Sequence, residues 1–203
     1  MARKTQKEWF EELEEVLNKK REEIIKEYSE QHEKKAELNK ELIQDFWRIW
    51  IKFNDENIHF KMEPPSSLWA RFINNNFPYE WVLKDDFNFA AVDHISLTDT
   101  TRDQNRAGDS LRIIYYDGEE GETLKMIFEF CEGEKYYKYS GWKRIYSQYI
   151  LYEAPVKEAD IDKIHEILKE VIAYWFESHL RRKRDIILNY IRDNYKKGAS
   201  FTE

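Results

Sequence analysis

Between Ser110 and Tyr152 the chain alternates apolar and polar residues, with acidic Gly pairs at Asp117-Gly118 and Glu132-Gly133. Leu124, Met126, Phe128 and Phe130 fall on one side of a period-2 pattern and Lys125, Ile127, Glu129 and Cys131 on the other. That pattern predicts strands with at least one core-facing side, and both Gly pairs read as hairpin turns. Phe89–Leu97 reads as a first strand ahead of this meander, and Ile58–Met62 as a further short one.

A different periodicity flanks the meander. No Pro or Gly occurs before Pro64, and Gln6 to Phe53 is built almost wholly of good helix formers. Trp9, Phe10, Leu13, Val16, Leu17, Ile24, Ile25 and Tyr28 recur at three- and four-residue steps, and Leu38, Leu42, Phe46, Ile49, Trp50 and Phe53 resume the stripe. Ser29 to Glu37 between them is nearly all polar, and i,i+4 pairs such as Glu22–Lys26 and Glu30–Lys34 support one unbroken helix there; a hairpin turn in this stretch is the alternative. The segment ending at Phe53 is apolar nearly all round, which places it in the core. Asn54–Asn57 ends the helix, Ser66 or Ser67 caps a short helix to about Asn75, and Phe77–Trp81 is an aromatic loop or strand. After Pro155, an apolar stripe from Ile161 to Ile191 predicts a second long helix closed by Gly198.

The expected fold is therefore α+β in a single domain over residues 1–203: a long N-terminal helix (1–57), a connection with a short helix (58–88), an antiparallel sheet of about four or five strands (89–155) and a long C-terminal helix (156–198). The first helix opens with Glu8, Glu11, Glu12, Glu14 and Glu15, and the second ends with Arg181–Arg184, Arg192, Lys196 and Lys197. Antiparallel packing would bring these opposite charges together, giving a β head on a two-helix stalk with both termini far from the sheet.

Composition narrows the function classes. Charged residues make up 36% and aromatic residues 16%, which describes a heavily solvated surface around an aromatic core. A net charge of −7 opposes a general nucleic-acid-coating role. Cys131 is the single cysteine, so an internal disulfide and a Cys-rich zinc site are both excluded. Without a signal-type apolar run or a membrane-spanning stretch, a cytoplasmic protein with no membrane partner is expected. Abundant Glu, Lys and Ile with only six Gly and four Pro suits a thermophile.

Two stretches carry candidate chemistry. Asp93, Asp99, Asp103 and Asp109 with Arg102 and Arg106 would suit a divalent cation or a phosphate, although their spacing matches no metal or phosphate motif and a solvated loop has the same composition. Tyr136, Tyr139, Trp142, Lys143, Arg144 and Tyr146 would form a stacking platform for single-stranded nucleic acid, against the reading that these are half-buried sheet residues. The five His residues are scattered, and none of the glycines forms a phosphate loop. The Arg181–Arg184 run reads as paired with glutamates of the first helix or as solvated. No metal or other cofactor is expected. The leading expectation is a non-enzymatic interaction protein whose long helices serve coiled-coil homodimerisation or docking of a protein partner. Nucleic-acid binding through 135–146 and a metal-dependent enzyme built on Asp93–Asp109 are the alternatives.

Overall fold

In a computed structural model that describes residues 6–63, 88–101, 108–119, 121–138 and 141–202, Gln6–Asp55 is one uninterrupted helix, α1. The polar stretch at Ser29–Glu37 stays helical, and Asn57, at φ 58°, turns the chain out of the helix. Among the described residues, six strands follow in a single antiparallel sheet whose spatial order is the chain order: β1 (Phe60–Glu63), β2 (His94–Asp99), β3 (Ser110–Gly118), β4 (Gly121–Tyr137), β5 (Gly141–Pro155) and β6 (Lys196–Thr202). Between β5 and β6 lie α2 (Ile161–Leu180) and α3 (Asp185–Asn194). Asp160 caps α2, its carboxylate accepting from the backbone N–H groups of Asp162 and Lys163 at 3.0 and 3.2 Å.

The alternation in β4 has the expected consequence, because Leu124, Met126, Phe128 and Phe130 are fully buried. They meet Ile95, Leu97, Leu111 and Ile113 of the neighbouring strands and the apolar faces of the helices in one core. Trp175 of α2 is at its centre, edge-on to Phe60 and Phe128 with ring centroids 4.6 and 4.8 Å apart. Phe53 at the base of α1 packs edge-on to Phe176 at 5.2 Å, and Asp45 meets His165 at 2.7 Å, so α1 and α2 do pack together at this end.

Several expectations are corrected. The C-terminal segment is not one helix: Arg182 takes φ 53° between α2 and α3, and the chain then returns as β6 along β5. The break is held by Arg184, which reaches back to the sheet at Asp109, and β6 supplies β5 with a second hydrogen-bonded neighbour. Gly198 accordingly lies within β6, not at a helix end, and the described residues form no two-helix stalk. Gly133, at φ 147°, sits in a bulge inside β4 and not in a turn; the strand runs on to Tyr137. Phe89–Ala91 is a 3-10 turn, and the strand after it begins only at His94. The sheet thus has one strand more than the upper expectation. The short helix to Asn75 and the Phe77–Trp81 stretch lie outside the described residues.

Candidate functional site

Asp99 ends β2 and Asp109 immediately precedes β3, and both line a cleft with Cys131, Ser178, His179 and Arg184. The helix break between α2 and α3 delivers Arg184 to this position, and its guanidinium holds Asp109 through Nη2–Oδ1 at 2.5 Å and Nε–Oδ2 at 2.8 Å. Asp109 also accepts from the backbone N–H of Cys131 at 3.0 Å, and Arg184 donates to the Cys131 carbonyl at 2.9 Å. The carboxylate pushes the Arg184 pKa further up. Asp99 lies 3.5 Å from His179 Nε2 and accepts from the Thr101 N–H at 2.8 Å. Burial pushes the Cys131 thiol up, which keeps it protonated and a poor nucleophile at neutral pH. The polar groups here tie strands to helices: Asp109 spends three hydrogen bonds on doing so.

Of the other expected members of this cluster, Asp93 is at the opposite end of β2, 3.2 Å from Lys35 on α1. Arg102, Asp103 and Arg106 lie outside the described residues. Among the described residues no group of three or more His, Cys, Asp or Glu is arranged to hold a metal ion. In the Arg181–Arg184 run, Arg181 bonds Glu177 at 2.6 Å and Arg184 bonds Asp109, neither of them on α1, and Arg181, Arg182 and Lys183 are exposed.

The aromatic hairpin is divided. Tyr146 is only 3% exposed, so its ring is committed to packing and cannot take a base. Arg144 is 3.5 Å from Glu134 across the strands, and its pKa is raised by a bond to Tyr146 and by that carboxylate. Lys143 faces Lys135 in register, Trp142 is opposite Tyr136, and Tyr136 is 60% exposed. Tyr139 lies outside the described residues.

The third candidate is α1 itself. Every residue from Glu14 to Glu30 is exposed, among them Val16, Leu17, Ile24, Ile25 and Tyr28, each between 51% and 64%. The rest of the helix is the reverse, with Leu38, Leu42, Ile43, Phe46 and Phe53 at 2% or less. The change occurs at the tip of the β3–β4 hairpin. A Cβ on Gly121 would stand 3.4 Å from Gln31, and Glu122 accepts from Lys35 at 2.5 Å. Lys35 is buried, bonded to Glu122 and Asp93 and 4.5 Å from the centre of the Tyr115 ring. One turn on, Asn39 is fully buried; it donates to the carbonyls of Phe89 and Val92 at 2.9 and 3.2 Å and accepts from Tyr115 at 2.8 Å. These two residues, Lys35 from the polar stretch and Asn39 just after it, anchor the helix where it leaves the sheet. Their signal was positional: both fall in the register of the Leu38–Leu42 stripe.

A second polar cluster also escaped the sequence. Glu129, 3% exposed on the sheet face opposite the core cluster, accepts from Ser110 at 2.9 Å, Arg112 at 3.1 Å and Gln148 at 2.7 Å. Among the described residues no helix is long and apolar enough to cross a membrane. No protein-family model, curated protein or solved structure matches the chain.

Proposed function

We propose that this protein is a non-catalytic assembly module that self-associates through the projecting half of α1. The observation that carries this is the apolar stripe of Leu17, Ile24, Ile25 and Tyr28, each more than half exposed. An isolated helical turn is marginal in water, and a helix of this kind gains most of its stability from a packed apolar face. Roughly 25 residues, Gln6 to Glu30, extend about 37 Å beyond the sheet at 1.5 Å per residue. The cleft supports the same reading from the other side, because Asp99, Asp109, His179 and Arg184 in it are engaged with one another between strand and helix.

Light scattering at tens of micromolar tests this. The wild-type chain is expected at about twice its 24.9 kDa mass, and the Leu17→Glu, Ile24→Glu double variant at the single-chain mass with its sheet spectrum intact. A wild-type chain that stays at the single-chain mass throughout would overturn the reading.

A further inference from the structure

The face that α1 lays on the sheet and the face it exposes are one face. Leu17, Ile24, Tyr28, Gln31, Lys35, Leu38, Leu42 and Phe46 follow one another at steps of three, four or seven residues, so they form a continuous ladder along the helix. From Gln31 onward the head occupies that ladder, and before it Leu17, Ile24 and Tyr28 are each more than half exposed.

Resting on the proposed self-association, we infer that the occupant is a second copy of α1 running antiparallel, centred between Leu17 and Lys20. A parallel, in-register partner is blocked by the head. It would have to continue along the ladder past Gln31, into the space where the β3–β4 hairpin and the core already sit. It would also place Lys20 against Lys20, Glu27 against Glu27, and the run Glu11, Glu12, Glu14, Glu15 beside its own copy.

The antiparallel arrangement removes each conflict. The partner's helix ends its overlap near Gln31, and its head sits beyond the other end of the free run. Leu13 then faces Ile24 twice over, Lys20 lays its aliphatic stem on Leu17, and Glu14 flanks Arg21 on both sides of the seam. In this register Glu11 lies opposite Lys26 on both sides of the seam, Glu14 and Glu15 lie opposite Glu23 and Glu22, and the two helix dipoles oppose. The contact is isologous, so it closes at two copies.

Spin-label distances test the direction. In a Cys131→Ser background, labels are placed singly at Asn18→Cys and Ser29→Cys, two exposed positions on the outer side of the seam. The antiparallel pair gives a short intermolecular distance at residue 18, on the order of 15–20 Å, and one on the order of 35 Å at residue 29. Equal short distances at both sites would overturn the antiparallel arrangement and leave self-association standing. No intermolecular distance at either site would overturn self-association itself. If the Cys131→Ser chain loses its sheet spectrum, Cys131→Ala serves as the background.

Discussion

Asn39 shows how much one polar side chain carries in this molecule. It is fully buried and makes three hydrogen bonds, two of them to carbonyls of the turn ahead of β2. Asn39→Ala would leave those carbonyls and the Tyr115 hydroxyl without their partner, so a loss of about 2–4 kcal/mol is expected in urea unfolding. The same change at the exposed Asn18 should cost less than about 0.5 kcal/mol. Glu63 gives a pH signature. His94, with Nε2 3.8 Å away, and a direct contact with Lys61 draw its carboxyl down from 4.5 to about 2 against the opposing effect of burial. A depressed carboxyl contributes stability that is present above its unfolded value and lost as pH falls through the folded one. Stability should therefore decline between about pH 4.5 and 2, and the Glu63→Gln chain should show a shallower decline in the same acid titration.

At the level of elements, the bulge in β4 offers a clean case. Gly133 takes φ 147°, yet a Cβ there would meet nothing within 4 Å. Gly133→Ala is thus expected to cost about 1–2 kcal/mol through backbone strain alone, measurable by thermal unfolding. The alternation that identified β4 and β5 is visible because each strand has one side in the core, and the long run of helix formers identified α1 for a similar reason. The bulge is invisible to that logic, since a Gly after Glu reads equally well as a turn. The α2–α3 break was hidden too: Leu180 to Ile187 keeps a helical apolar spacing, and what interrupts it is a tertiary contact, Arg184 with Asp109, 75 residues away. The same holds for β6. Lys196–Thr202 lacks an apolar alternation of its own, and only the open side of β5 makes it a strand. The cleft residues Asp99 and Asp109 were found by composition, but their partners, His179 near the end of α2 and Arg184 in the break after it, are connected to them by no local pattern.

For the whole molecule, the free and buried halves of α1 make shape a measurable quantity. One helix of 50 residues is about 75 Å long, so two of them overlapping antiparallel along their free runs span on the order of 110 Å between their far ends. Small-angle scattering should report a maximum dimension of at least that size for the wild-type chain and a smaller one for the Leu17→Glu, Ile24→Glu variant. The sheet bears on which assemblies can form. Its outermost described strands are β1, four residues with Lys61 and Glu63, and β6, seven residues opening with Lys196 and Lys197. Short, charged margins are poor templates for adding another chain's strand. With the proposed α1 contact closing at two copies and the described sheet margins offering no template, concentration should drive the population toward pairs without drawing it into fibres.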